Sequence, residues 1–385
     1  MQIVFVNYGP YCLASGVHIH FIANEMVALG HDCTVVLPEM RGNEDQYGPR
    51  RYATVDCEDF ARRLGNGAYS AQTVFHAWTP REDVRQITEQ ATAFLGARYY
   101  VHLEDNERRI LECKYHKPFA ELERDAHEGR FVLEHISDSH PLLHQQFLAG
   151  ARGITILMDT LEKFVPAGLP SLLFWPACEK EFFTLGLRPN IALRRQLGIP
   201  DECTVLVYPG NVHQAVAHTV APLYRALPLI AAAGHPVRLV RCSGGDQFKA
   251  DDSIVGLLEQ YVLEFPTADP RDLPKFLRAS DILVQPGAPN AFDAYRFPSK
   301  LPLFLASGRP VILARTNIGR FLTDGTNCRI LEENTPEAIA KHVVELIEQP
   351  ELASKIGQGG REFAREHFNW QKTALKLIDF YEGTN

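Results

Sequence analysis

No apolar run in this sequence approaches the roughly 20 residues that a bilayer-spanning helix requires, so no membrane-spanning helix is expected. The opening residues, Met1-Gln-Ile-Val-Phe-Val6, lack the basic region, long apolar stretch and small-residue cleavage site of a secretory signal. A cytoplasmic location with at most peripheral membrane contact is the expectation. Cysteines are few and scattered. None of the eight (Cys12, Cys33, Cys57, Cys113, Cys178, Cys203, Cys242, Cys328) stands at metal-clip spacing to another, which leaves free cytosolic thiols as the reading. Positive charge is in deficit too. With 39 Lys and Arg against 47 Asp and Glu, the formal net charge of -8 argues against a nucleic-acid partner, which needs a clustered cationic excess, and leaves room only for a local basic pocket. Short internal repeats and low-complexity tracts are missing as well, so neither a solenoid nor a disordered segment is indicated.

What is present reads as α/β structure. The 385 residues, 45% hydrophobic and 22% charged, exceed what one compact core normally holds and predict two domains of comparable length. Ile3-Val-Phe-Val6 is a short continuous apolar run of the kind buried on both faces of a parallel sheet. A loop from Asn7 to Gly16 follows, then apolar Ile19, Ile22, Met26 and Leu29 at helical spacing, Gly30 as the C-cap, and the strand Cys33–Leu37. Strand, glycine-containing loop, helix and strand open a doubly wound fold. Two more strands, Thr73–His76 and Arg98–His102, each run into polar residues, Ala77-Trp-Thr-Pro-Arg-Glu82 and Leu103-Glu-Asp-Asn-Glu107. Such sheets bind ligands beyond the carboxyl ends of their strands, so these clusters form a candidate rim.

The pattern restarts at Thr204–Gly210. It continues through a helix near His218–Ala232, the strand Val237–Cys242, the turn Ser243-Gly244-Gly245, and strands Ile282–Gln285, Pro310–Ala314 and Cys328–Leu331. The expected division is one domain over 1–180, a boundary near Pro176–Pro189, and a second domain over 190–362.

An ordered motif set lies in the C-terminal half. Phe297-Pro-Ser-Lys-Leu-Pro-Leu-Phe-Leu-Ala-Ser-Gly-Arg-Pro-Val-Ile312 joins a proline-x-lysine segment to a small-Gly-Arg-Pro-Val turn. Gly319, Asp324-Gly325-Thr-Asn327, Thr335-Pro-Glu-Ala338, Gly360-Arg361 and His367-Phe-Asn-Trp370 follow in order. Together they resemble the family 4 type retaining glycosyltransferases of GT-B architecture, over most of the chain. The resemblance implies two Rossmann-like doubly wound domains facing across a cleft, the first on the acceptor side and the second binding a nucleotide-diphosphate sugar. A final helix over 363–385 is expected to pack back on the first domain. Also implied is transfer of the sugar to a glycan, lipid-linked or protein acceptor, with retention, without a metal, and with no cofactor beyond the donor substrate.

On the donor side, Pro298 suits the first turn of a helix whose free amides face an anion, with Arg296 and Lys300 adding charge. The diphosphate is expected near Ser299, Lys300 and Gly244-Gly245, and the base near Phe265 and Pro266. On the acceptor side, Ser15-Gly16-Val-His18 is similar to the family's small-residue loop, where glycine suits close backbone approach. His102 holds the strand-end position where many members carry a histidine near the transferred sugar, so the catalytic candidates are His102, Lys300 and Arg296. Glu104 and Asp105 follow on the same loop. His76 and Trp78 are candidates for lining the cleft, Trp78 by stacking on a sugar. The plain structural readings are a backbone-satisfied histidine, packing aromatics and solvated charges. Glu104, Asp105 and Glu107 are read as a solvated acidic loop rather than a metal site.

The sequence departs from the family in two places. Asn211 and Ala217 stand where an Arg and a Lys neutralise the donor diphosphate. Leu303 occupies the position of the second glutamate, which binds ribose hydroxyls, and Asp293 is the nearby acid. A variant subgroup with the Arg-x-Pro-Ser-Lys pattern accounts for both. A non-catalytic sugar-nucleotide-binding protein and a sugar-nucleotide epimerase on the same plan stand as alternatives. A dinucleotide-dependent oxidoreductase fits poorly, because Gly9 and Gly16 do not form its compact phosphate fingerprint.

Overall fold

The computed structural model describes residues 1–11, 14–38, 45–186, 189–210, 212, 214–242, 252–265, 272–290 and 292–384. The chain divides into two compact units, Met1–Ala177 with Tyr295–Phe297 and Trp370–Asn385, and Cys178–Ala294 with Pro298–Asn369.

The first unit is built on seven parallel strands: β1 (Gln2–Val6), β2 (Asp32–Val36), β3 (Ala53–Val55), β4 (Val74–Trp78), β5 (Arg98–Leu103), β6 (Gly153–Ile156) and β7 (Ser171–Leu173). They lie in the order β3-β2-β1-β4-β5-β6-β7. Ile3 to Val6 in β1 and all of β4 are buried, as expected for central strands covered on both faces. The register places Trp78 beside His102 and His102 beside Thr155, so three polar-capable side chains sit level across β4, β5 and β6.

The second unit has six parallel strands: β8 (Thr204–Pro209), β9 (Val237–Cys242), β10 (Val262–Phe265), β11 (Ile282–Gln285), β12 (Val311–Ala314) and β13 (Arg329–Leu331). Their order is β10-β9-β8-β11-β12-β13. Leu223, Leu227 and Ile230 of the helix Gln214–Ala232 join Leu206, Leu239 and Val343 in its core. Both sheets reverse their strand order beside the first strand of the unit, so the carboxyl ends of β1 and β4, and of β8 and β11, flank the switch points where ligands bind in such folds.

Three local differences from the sequence reading have physical causes. The first helix begins at Ala14, so Ser15 and Gly16 lie in its opening turn instead of a loop. A Cβ at Gly16 would overlap the Tyr11 carbonyl, which is why glycine occupies this close approach. The helix after Pro298 starts only at Leu301, with Lys300 as its N-cap and Pro302 in its first turn, while the Pro298 carbonyl accepts from the Leu301 N–H at 2.8 Å. The final helix is two. Pro350–His367 belongs to the second unit and Trp370–Gly383 to the first, broken where the buried Phe368 leaves helical geometry.

No helix among the described residues is long and apolar enough to cross a membrane. The seven described cysteines are all free thiols.

The last helix is anchored in the first unit by buried aromatics. Trp370 stacks on Phe21 at 5.2 Å, Tyr381 packs 4.9 Å from Tyr100, and the Tyr381 hydroxyl is 2.7 Å from His76 Nδ1. Tyr381→Phe is expected to destabilise the protein by about 1–3 kcal/mol, the cost of stranding a buried imidazole nitrogen. Urea unfolding measures this, and an unchanged midpoint would show that the hydrogen bond contributes nothing.

Candidate functional site

At the carboxyl end of β5, Glu104 is buried and gathers three donors. Ser15 Oγ donates to Oε2 at 2.5 Å, and Trp78 Nε1 donates to Oε1 at 2.8 Å, with His18 Nδ1 3.1 Å from the same oxygen. Burial opposes ionisation of this carboxyl, but the hydrogen bond and charge of His18, aided by Ser15, outweigh it and hold the pKa at about 2. Glu104 therefore stays an anion, and its role is to fix side chains from two elements, the helix Ala14–Ala28 and β4, at the end of β5.

Beneath it runs a polar chain through the sheet. Tyr381 OH meets His76 Nδ1, His76 Nε2 is 2.9 Å from Thr155 Oγ1, and that hydroxyl is 2.7 Å from His102 Nδ1. Hydrogen bonding thus engages both His76 nitrogens and His102 Nδ1, and His102 Nε2 stands at the end of the chain. That nitrogen is buried and has no partner among the described residues. Burial pushes the His102 pKa down to about 3, so the ring is neutral near pH 7. Trp78 lies 4.1 Å from it and Phe174 stacks at 5.0 Å.

This geometry moves two expected cleft residues inward. His76 is fully buried with both nitrogens engaged, so it ties the last helix to the sheet. Trp78 is likewise fully buried, packed against Phe5, His76, His102 and Phe174, and presents no face for a sugar to stack on.

The acidic loop is not a set of freely solvated charges. Glu107 accepts from Ser139 Oγ at 2.7 Å and lies 3.6 Å from Arg81, whose guanidinium sits 3.9 Å above the Tyr8 ring. Asp105 lies 3.3 Å from Arg296, and burial pushes its pKa up to about 6 against the pull of that cation. Arg296, expected at the donor diphosphate, thus groups with the first unit through this pair.

In the second unit, the carboxyl end of β8 carries the cations. Lys300 Nζ is 5.0 Å from the Tyr208 ring centre, and its Cε lies so near Gly210 (φ +83°) that a side chain there would collide with it. Arg241, absent from the sequence reading, is buried at the end of β9. It donates to the carbonyls of Tyr208 (2.8 Å) and Gly210 (3.0 Å) and lies 5.0 Å from the same Tyr208 ring. Its only sequence signal was a charge inside a strand that otherwise reads as buried. Ser299 is exposed. Asp293 Oδ2 accepts from the Ala288 N–H at 3.0 Å and closes the loop after β11. Phe265 packs 5.0 Å from Phe276 at the sheet edge. Gly244, Gly245, Pro266 and Asn211 lie outside the described residues.

With both strand-end sites in place, comparison with known proteins identifies the second. Residues 203–349 match the family described as Glycosyl transferases group 1. That stretch is similar to the group 1 glycosyltransferases. Over 208 residues, 50% of this chain and 46% of the relative, the sequence is 27% identical to D-inositol 3-phosphate glycosyltransferase of Thermobispora bispora. The match covers 30% of an uncharacterized glycosyltransferase of Methanocaldococcus jannaschii, so the chain spans less than half the length of these curated relatives. Among solved structures, sucrose-phosphate synthase from Thermosynechococcus elongatus superposes with a TM-score of 0.69 at 14% identity, covering 100% of this chain and 98% of that one. Anabaena HepE in complex with UDP-glucose gives 0.67 at 14% identity, with 100% of both chains covered. The chain therefore has the GT-B fold of these solved glycosyltransferase structures.

Glu104→Gln is expected to cost about 3 kcal/mol near neutral pH, because it removes a buried charge that organises its partners. The folded pKa of Glu104 is depressed, so its contribution is present above the ordinary carboxylate range and lost as pH falls toward 2. The stability gap between wild type and variant should therefore narrow from pH 6 to pH 3 in chemical denaturation. A constant gap would assign the loss to packing alone.

Proposed function

We propose that this chain transfers the sugar of a nucleotide-diphosphate donor to a hydroxyl acceptor, with retention of anomeric configuration and without a metal. The observation that carries the reading is the group 1 glycosyltransferase match across the second unit, with Lys300 held at the carboxyl end of β8. UDP-glucose is the first donor to test, because a protein of the same fold binds it. Retention rests on the resemblance to family 4 type enzymes.

The chemical demand is charge on the departing diphosphate. Lys300 supplies a cation beside the Tyr208 ring, and Arg241 ties down the β8 end through the Tyr208 and Gly210 carbonyls. His102, neutral and with Nε2 at the end of its hydrogen-bond chain, offers a ring nitrogen to the sugar. Its ring is closed off here, so contact requires the covering side chains to shift.

A second reading is favoured by one specific feature. With Ala217 uncharged and packed against the core, and Asn211 uncharged, the diphosphate loses two expected cations, which suits a sugar-nucleotide-binding protein without turnover. Incubation with UDP-glucose and candidate acceptors separates the two, since tight binding without release of UDP leaves only the binder. An epimerised sugar nucleotide formed without any acceptor would identify the third alternative.

Lys300→Ala should weaken UDP-glucose binding about tenfold at low salt, the loss of one charge-assisted contact. Unchanged affinity in calorimetry removes the lysine from the diphosphate site. His102→Ala should lower turnover about 100- to 1,000-fold with little change in donor affinity, as for a donor aimed at the transition state. A histidine that only supports the core would instead lower stability and leave turnover per folded molecule intact. Chelator should leave the rate unchanged, and loss of activity restored by a divalent ion would overturn metal independence.

A further inference from the structure

The first unit contains a cavity of about 270 Å³ beside the start of the helix Glu107–Tyr115. That is just under the roughly 300–1,000 Å³ of pockets for drug-sized ligands, which limits an occupant to one small metabolite. We propose that this cavity binds a free α-amino acid with an apolar side chain. Such a ligand has no hydroxyl to receive a sugar, so the site takes neither the donor nor the acceptor of the proposed transfer. The inference stands without the glycosyltransferase reading, because binding alone reports it.

The inner lining asks for a hydrogen-bond donor. Glu107 is buried, and its Oε1 has no hydrogen-bond partner among the described residues, since Arg81 stays 3.6 Å away and Ser139 donates to the other oxygen. His144 is buried too. Its Nδ1 donates to the His140 carbonyl at 2.7 Å, so Nε2 carries a lone pair, and burial keeps the ring neutral by lowering its pKa. Gln145 spends its amide hydrogens on Glu123 Oε1 (2.9 Å) and the Pro141 carbonyl (2.8 Å), which leaves its Oε1 as a third acceptor. Asp105, offset by Arg296 at 3.3 Å, adds negative charge to the same cavity. An ammonium group matches this lining, with three N–H donors for three acceptors and the positive charge that the carboxylates favour.

The outer lining carries the opposite charge. Arg108 and Lys163, both exposed, lie 5.6 Å and 4.8 Å from the centre of the Phe164 ring. Neither has a carboxylate partner among the described residues. Arg108 lies over the Phe119 and Phe164 rings, and Lys163 donates to the Tyr295 hydroxyl at 2.5 Å. These two cations suit a carboxylate. Glu107 and Arg108 are adjacent in sequence, so the inner acceptor and the outer cation belong to one wall, and a ligand with ammonium and carboxylate on a single carbon answers both. Leu103, Leu148 and Val165 supply apolar surface for its side chain. A neutral polyol, a phosphate or a simple amine leaves at least one of the two charge sets unanswered.

The test is isothermal titration of the full chain with leucine, valine, methionine and phenylalanine, set against isoamylamine, which is leucine without its carboxylate, isocaproate, which is leucine without its ammonium, and the dipeptide leucyl-leucine. At least one of the four amino acids should bind, about tenfold or more tighter than any of the three analogues. Arg108→Ala, at an exposed position, should weaken that amino acid about tenfold with an unchanged urea-unfolding midpoint, and should leave isoamylamine binding as in wild type. Glu107→Gln should weaken the amino acid and leave isocaproate binding as it was. The site is overturned if none of the four amino acids binds, if any analogue matches them, or if Arg108→Ala binds as wild type does. Binding confined to vesicles containing phosphatidylserine would also overturn it, by assigning the zwitterion to a lipid headgroup.

Discussion

The rim of the first unit depends on one buried carboxylate. Removing Glu104 from water costs several kcal/mol, and the structure offsets that cost only by bringing donors from the first helix and from β4 onto the end of β5. The constraint acts in both directions. The anion requires Ser15, His18 and Trp78 where they are, and their positions decide how the helix Ala14–Ala28 meets the sheet. Gly16 is a consequence, since any side chain would push the helix start off Tyr11 and out of reach of the carboxylate.

Trp78 links that anion to the chemistry proposed for His102. Its indole is oriented by Glu104 at one edge and lies 4.1 Å from His102, whose other face is stacked by Phe174. Burial keeps this histidine neutral because its lost hydration outweighs the opposing pull of the Glu104 charge and of the Thr155 backbone. Its proton position is then set by hydrogen bonding alone, through Thr155 and His76 to Tyr381. The last helix of the chain therefore has a stake in which His102 nitrogen carries the proton.

Much of this was legible in the sequence, and the remainder was hidden for identifiable reasons. The long buried strands announced themselves as apolar runs. Four strands did not: Ala53–Val55, Gly153–Ile156, Ser171–Leu173 and Val262–Phe265 are short and each includes a Thr, Ser or Glu, so neither a period nor an unbroken apolar run marks them. Strand-end position pointed to His102, Glu104 and Asp105, but it could not distinguish a side chain that faces solvent from one that turns into the sheet. His76 and Trp78 share that ambiguity, and only the partners supplied by Tyr381 and Glu104 resolve it. Arg241 went unread because its role depends on a pair of carbonyls distant in sequence, those of Tyr208 and Gly210.

Under the proposed function the second unit poses the converse electrostatic problem, because a diphosphate would have to be held there without the usual pair of cations. A strand end presents carbonyl oxygens as well as amides, and exposed carbonyls repel phosphate. Arg241 occupies two of them, at Tyr208 and Gly210, from the buried side. Its own charge stays in the low-dielectric interior, where a fixed cation projects its field more strongly than one in water. Lys300 then needs only to hover over the same Tyr208 ring, with Gly210 giving it room. A buried arginine that quiets the carbonyls and a lysine beside the same Tyr208 ring would divide between them the work that two cations do in the resembled family. That division explains how Asn211 and Ala217 are compatible with a strand end still suited to an anion.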